Sequence, residues 1–247
     1  MIRFLIIGII SLSYILLFSS DVGAQSNSIS VNIPLDHTEG LATPVKIVLI
    51  LTFLTFLPAL FISVTSFTRI IIVFSFLRQA MGLQQAPPNQ ILIGLSLFMT
   101  FAIMSPVFTE MNNNGVQPYL NGELAEEPAI EAVVLPLRNF MFRQTRTSDI
   151  NLMLQISKTG DVESFDDLPT PVLIPAFVLS ELKTAFQIGF MLYIPFVIMD
   201  MIVAMVLLSM GMMVLPPVII SLPFKVMLFV VVNGWDLVVT SLIRSFR

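Results

Sequence analysis

Apolar positions along the chain fall into two long blocks separated by a more polar insert. The first block covers residues 44–109, and the second covers residues 171–247. A membrane-spanning helix needs roughly 20 mostly apolar residues, and both blocks contain runs of that order. The pattern predicts an all-α chain of the integral-membrane type, built from helical hairpins.

Prolines recur inside both blocks. They are Pro58, Pro106, Pro195, Pro216, Pro217 and Pro223. Because an interior proline removes one helix hydrogen bond, we expect kinked hairpins and poor simple spans. Interrupted backbone at membrane depth persists only where it is buried in protein or lines a wet cavity. We therefore expect the hairpins to pack mainly on other protein.

The insert, residues 110–170, contains ten acidic residues and four basic ones. The positive-inside rule counts Lys and Arg near membrane ends, so it does not hold a long acidic loop in the cytoplasm. We place the insert in the periplasm. Within it, residues 138–157 predict a short helix or two, so the insert is expected to be a small helical subdomain.

The N-terminus has the layout of a secretory signal. A basic start precedes an apolar core of 15 residues from Phe4 to Phe18, and small residues follow up to Ala24. This pattern predicts a cleavable signal peptide over residues 1–24; the alternative is an uncleaved first membrane helix. In either case the polar segment, residues 25–43, begins outside the cytoplasmic membrane.

Composition supports a membrane or a large hydrophobic assembly as the surroundings. Hydrophobic residues make up 56% of the 247 positions and charged residues only 11%, whereas soluble domains carry about 25% charged residues. The net charge of −4 argues against nucleic acid as a partner, because such partners require basic clusters.

Candidate catalytic chemistry is sparse. The chain has no cysteine, and its one histidine, His37, lies in a polar run without the partners of a triad or a metal site. Asp200 and Asp236 lack the flanking glycine of intramembrane aspartyl proteases, and no P-loop motif is present. We predict no enzymatic activity, no catalytic residue, no metal and no cofactor.

Five charged residues in or beside the apolar blocks are functional candidates, because charges at membrane depth are costly. They are Arg69, Glu181, Lys183, Asp200 and Lys225. Asp200 and Lys225 would lie about 16 Å and 12 Å from a turn between them. They pair across this hairpin or with a neighbouring copy; the alternative is that Lys225 reaches an interface while Asp200 binds backbone amides.

A methionine-rich stretch, residues 209–217, reads "SMGMMVLPP". Eight of the fifteen methionines lie between Met191 and Met227, and methionine adapts to varied surfaces. The two prolines are predicted to end the preceding helix. We expect a flexible tip whose gate residues are Met210, Gly211, Met212 and Met213. Tips from several copies would form a constriction that stops ions by dewetting yet parts for an unfolded chain; the alternative is a plain apolar turn.

Long segments of both blocks resemble the FliP/SctR family of type III secretion export-gate proteins. The resemblance is carried by "TRIIIVFSFLRQAMGLQQAPPNQILIGLSLFMTF", "PAFVLSELKTAFQIGF", "IPFVIMDMIVAMVLLSMGMMVLPP" and "LPFKVMLFVVVNGW". It covers nearly the whole chain from about Thr43 onward. The signal peptide and the sizeable insert are more similar to the flagellar member than to the injectisome member.

This resemblance implies a role and a set of partners. Family members form a ring-like or helical, pentamer-like homo-oligomer with FliQ and FliR at the flagellar basal body in the inner membrane. They are associated with FlhA and FlhB, and they pass unfolded flagellar substrate proteins. The family's methionine loop seals the closed pore and matches Met210, Met212 and Met213, while Glu181 and Lys183 fall in the family signature, where charges join adjacent subunits.

Two other functional classes remain as alternatives. A small-solute transporter is expected to show paired broken helices in two related halves, and the halves of this chain do not align visibly. A structural scaffold would build the ring without touching cargo. Replacing the three tip methionines distinguishes the scaffold from the gate.

Overall fold

The computed structural model describes residues 43–83, 85–158, 168–212 and 215–246. The predicted signal peptide, nearly all of the polar segment 25–43, and the gate candidate Met213 lie outside the described residues. Throughout these ranges the chain is helical and has no strand, so the all-α prediction is confirmed.

Nine α-helices and one π-helical turn make up the described chain. They are α1 (Thr43–Val64), α2 (Phe67–Ala80), α3 (Asn89–Met111), the π-helical turn (Asn112–Val116), α4 (Gln117–Leu120), α5 (Glu126–Gln144), α6 (Thr147–Ser157), α7 (Thr170–Ser209), α8 (Pro217–Val231) and α9 (Gly234–Arg244).

Three helical segments are long and apolar enough to cross a membrane. They are Ile47–Val64, Asn89–Leu120 and Thr170–Ser209. A fourth candidate span consists of α8 and α9 together, which are bent by 64° relative to each other. The described chain thus offers three or four apolar spans, as expected for a membrane protein.

Four of the six prolines lie inside continuous helices, so the expectation that they interrupt the apolar runs is wrong there, while the expected kinks stay a prediction. Helices α1, α3 and α8 continue through Pro58, Pro106 and Pro223, and α7 continues through Pro195. A proline removes one hydrogen bond, but any wider break in apolar surroundings would leave more backbone groups unsatisfied. The actual bend follows α8 at Asn233, whose φ is 50°.

The first core cluster is organised by α2. Its buried apolar residues recur at helical spacing, as expected for one face of a packed helix: Ile70, Val73, Phe74, Leu77 and Ala80. Buried residues of α3, α7, α8 and α9 pack against this face. Helix α2 is therefore the central element onto which the two apolar blocks fold.

The second core cluster joins the insert to both blocks. Phe140 and Met141 of α5 pack with Met104 of α3 and with Leu173 and Phe177 of α7. The insert helices α5 and α6 thus share a core with the end of α3 and the start of α7. The prediction of helices in residues 138–157 is confirmed by the end of α5 and by α6.

Candidate functional site

The methionine-rich stretch lies at the tip of a hairpin formed by α7 and α8. The two helices run antiparallel, because Asp200 on α7 faces both Ser221 and Lys225 on α8. At the tip, the Met210 side chain is 65% exposed. The described part of the hairpin tip, residues 210–212 and 215–216, therefore presents the soft apolar side chain of Met210 away from the core of its own chain.

Gly211, rather than the prolines, ends α7. Its φ is +76°, and its N–H donates to the Leu208 carbonyl at 3.0 Å while the Met212 N–H donates to the Leu207 carbonyl at 3.0 Å. This pair of bonds is a Schellman cap, in which a left-handed glycine closes the helix.

The prediction that Pro216 and Pro217 end α7 is wrong, because they begin α8 instead. Pro217 is the first residue of α8 and Pro216 directly precedes it. A proline at this position loses no helix hydrogen bond and has its φ already set for the helix.

A charge centre lies on the hairpin behind the tip. The Lys225 ammonium donates to Asp200 Oδ2 at 2.6 Å and to the Ala80 carbonyl at the end of α2 at 3.2 Å. The Ser221 hydroxyl donates to Asp200 Oδ1. Lys225 is 3% exposed and Asp200 is 26% exposed. The structure thus joins Asp200 and Lys225 across the hairpin of one chain, and Lys225 also fastens α8 to α2.

A second charge centre lies near the insert and is fully enclosed. The Arg69 guanidinium on α2 and the Glu181 carboxylate on α7 form a two-pronged ion pair, with Nε donating to Oε2 at 2.7 Å and Nη2 donating to Oε1. Both side chains are at most 2% exposed. Paired planar groups of this kind fix the relative position of two helices.

The remaining donors of Arg69 bind groups from two other parts of the chain. Its Nη1 donates to the Ser245 carbonyl at 2.7 Å and its Nη2 to Gln144 Oε1 at 3.1 Å. The Phe246 ring lies 3.7 Å from the guanidinium carbon, which adds a cation–π contact. Arg69 therefore joins α2, α5, α7 and the segment after α9.

Lys183 makes a third pair with Asp149 of α6. Asp149 is 1% exposed while Lys183 is 44% exposed, and the second carboxylate oxygen of Asp149 has no hydrogen-bond partner. Glu181 and Lys183, which the family resemblance assigns to contacts between subunits, thus both have partners within this chain.

The sequence identified the charged residues of these centres, but most of the side chains that contact them were not predicted. Gln144, Ser245 and Phe246 around Arg69, and Ser221 beside Asp200, carry no local signal, because a polar or aromatic residue near a helix end is common. Among the described residues, no group of histidines and carboxylates is arranged to hold a metal ion.

Comparison with known proteins places the chain in a family. The FliP family model matches residues 50–242. "Flagellar biosynthetic protein FliP" of Bacillus subtilis is 50% identical over 208 residues, which cover 84% of this chain and 94% of the relative. The protein of the same name from Pectobacterium carotovorum is 52% identical over 82% of this chain and 78% of the relative.

A third relative of the same name, from Aquifex aeolicus, is 47% identical over 84% of this chain and 87% of the relative. The matched region contains the Arg69–Glu181 pair, the Asp200–Lys225 pair and the positions of the hairpin tip, and it ends before Ser245 and Phe246. Because the family model matches well over half of the chain and these relatives are matched over most of their length, the chain belongs to the FliP family.

Proposed function

We propose that this chain is the core pore-forming subunit of the flagellar type III protein export gate. Membership of the FliP family and the name that its relatives share, flagellar biosynthetic protein FliP, support a place in flagellar biogenesis. Three or four apolar spans support a location in the inner membrane, at the flagellar basal body. The proposed cargo is unfolded flagellar protein.

The exposed, methionine-bearing hairpin tip is the observation that carries this proposal. Met210 is 65% exposed at a sharply closed helix end, so its side chain has little contact with its own chain. Methionine is unbranched and polarizable, and it conforms to different partners. Tips from several copies that meet on one axis would form a deformable seal, with Met210, Gly211, Met212 and Met213 as the gate.

The Asp200–Lys225 charge centre is consistent with a hairpin whose base is fixed to α2 and whose tip moves. Lys225 binds both Asp200 and the Ala80 carbonyl, so the hairpin is held to α2 at this level. Beyond it, the hairpin exposes Met205, Leu208 and Ile219. We infer that movement is confined to the part of the hairpin beyond this charge centre, while the base stays in place.

Large exposed apolar surfaces support assembly with further copies and other proteins. On α7 these include Phe190, Ile194, Met201 and Met205, and on α8 Phe224 and Met227. Contiguous apolar surface of this kind requires lipid or protein to cover it. The proposed partners are further copies in a pentamer-like ring, FliQ and FliR in the core of the gate, and FlhB and FlhA beside it.

The proposal also assigns the remaining segments. A signal peptide over residues 1–24 directs the polar segment 25–43 outward. The acidic insert, residues 110–170, lies in the periplasm between the helical blocks of residues 44–109 and 171–247. Glu181 and Lys183, held within the chain by Arg69 and Asp149, would contribute to subunit contacts by positioning the helices that form them.

A triple substitution tests the seal. We expect replacement of Met210, Met212 and Met213 by alanine to let ions or small solutes leak through the membrane of flagellated cells, because the constriction loses its filling side chains. The measurement is uptake of a membrane-impermeant dye, together with purification of the assembled complex. The matched control replaces the same three methionines by leucine, which keeps apolar side chains of similar volume at the tip and should leave the membrane tight.

The same experiment separates the gate from a structural scaffold. A scaffold predicts that both triple variants assemble and leave the membrane tight. Single cysteines at position 210 should also crosslink between copies under oxidation, since the chain has no cysteine of its own. An assembled complex without such a crosslink would contradict the convergence of the tips.

A further inference from the structure

The insert carries an exposed apolar ridge on α5. Ile130 and Val134 lie four residues apart on one helix face and are 57% and 37% exposed. Side chains at this spacing form the continuous ridges that pack into the grooves of a second helix. We call this pair the insert ridge.

Two hollows lie on opposite sides of the insert ridge and share its two residues. The apolar hollow has a volume of about 350 Å³ and is lined also by Val116, Tyr119 and Glu126. The acidic hollow has a volume of about 440 Å³ and is lined also by Glu127 and Glu131. A ridge between two hollows is the shape that a packed helix complements.

The floor of the apolar hollow is held tightly in place. Gly115, in the π-helical turn, lies so near α5 that an added Cβ would stand 3.0 Å from the Val133 backbone nitrogen and 3.1 Å from the Ala129 carbonyl oxygen. Backbone contact this close leaves no room for a larger residue. The hollow is therefore a fixed feature of the surface that a partner would meet already formed.

The negative charge beside the two hollows indicates which kind of partner they fit. Four carboxylates occur within nine residues along this edge, at Glu123, Glu126, Glu127 and Glu131, and all four residues are exposed. Arg138, the cation that lines the acidic hollow, already donates to the Leu168 carbonyl at 2.8 Å. A second copy of the insert would bring ten acidic residues against four basic ones, which opposes pairing of like with like.

We propose that the insert ridge and its two hollows dock an amphipathic helix of a different protein, whose apolar stripe is flanked by lysine or arginine. Apolar side chains of that helix enter the apolar hollow, and its cations face Glu127 and Glu131. This docking surface is separate from the hairpin tip, so the seal and the docking surface fail independently.

Site-specific photocrosslinking of the full chain in flagellated cells tests this assignment. We expect p-benzoylphenylalanine at position 130 to give an adduct to another polypeptide, and peptide sequencing to find lysine or arginine within a helical turn of apolar residues. The same probe at Ile156, which is 66% exposed on α6 of the same insert, is the matched control and should not give this adduct.

Charge reversal makes the test specific. Glu127→Lys together with Glu131→Lys should lower the yield of the adduct on the order of tenfold, because like charges then face each other. Glu110→Lys, at another exposed position of the insert, should leave the yield unchanged, and each variant must reach the normal level in the membrane. An adduct to this chain itself, an adduct to lipid alone, an unchanged yield after reversal, or no adduct would each overturn the proposal.

Discussion

Each of the two charge centres contains one acidic and one basic side chain, but the two centres differ in how far these side chains are exposed. Around Arg69 and Glu181, both side chains are at most 2% exposed and the guanidinium binds groups from three other parts of the chain. Around Asp200 and Lys225, the carboxylate remains 26% exposed and the ammonium binds two protein oxygens. The first centre is therefore suited to a fixed joint, and the second is suited to a weaker joint with fewer partners.

The largest expected effect comes from breaking the enclosed joint. Glu181→Ala leaves the Arg69 guanidinium buried without its anion, which costs about 3–5 kcal/mol in comparable buried pairs. We expect a large fall in the denaturant midpoint of the purified chain in detergent and poor accumulation in the membrane. Loss of at most about 1 kcal/mol would contradict the assignment of a fixed joint.

A smaller effect is expected at the partly open joint. Lys225→Met removes the cation from Asp200, but the carboxylate keeps Ser221 and some water, so we expect a loss of about 1–3 kcal/mol. Adding Asp200→Asn should recover part of the stability and of flagellar export, because no unpaired charge remains. The four unfolding midpoints form a double-mutant cycle, and strictly additive effects would show that the observed pair carries no coupling.

The smallest expected effect is at the helix cap beside the tip. Gly211→Ala forces a Cβ into the left-handed conformation and should cost about 1–2 kcal/mol. Gly94→Ala is the matched control, since an added Cβ meets no atom within 4 Å at either position and only Gly211 has a positive φ. The Gly94 variant should be as stable as the parent or slightly more stable, and equal losses in the two variants would rule out the cap as the cause.

The sequence was sufficient for the helices and for the identity of the charged residues. Apolar runs predicted the long helices, and the cost of charge in such runs singled out Arg69, Glu181, Asp200 and Lys225. The sequence was not sufficient to predict where the helices end. Prolines were given the role of breaks, whereas a single lost hydrogen bond did not end α3 or α7, and α7 ended instead at Gly211, whose φ is positive.

The partners of Arg69 could not be predicted for a different reason. Gln144 and Ser245 are 75 and 176 residues away along the chain, and neither belongs to a pattern that indicates a contact. Only the packing of α5 and of the segment after α9 around α2 brings them together. Long-range geometry of this kind is set by the whole core and leaves no trace in local spacing.

Helix α7 continues without a break for 40 residues from Thr170 to Ser209. At 1.5 Å per residue it is about 60 Å long, roughly twice the thickness of a bilayer's hydrocarbon layer. Membrane helices rarely tilt beyond about 40°, and a helix of this length would still be too long for the layer at that tilt. The part of its apolar surface that extends beyond the layer is therefore expected to be covered by neighbouring protein, and the same helix connects the enclosed charge centre at Glu181 to the methionine-bearing tip.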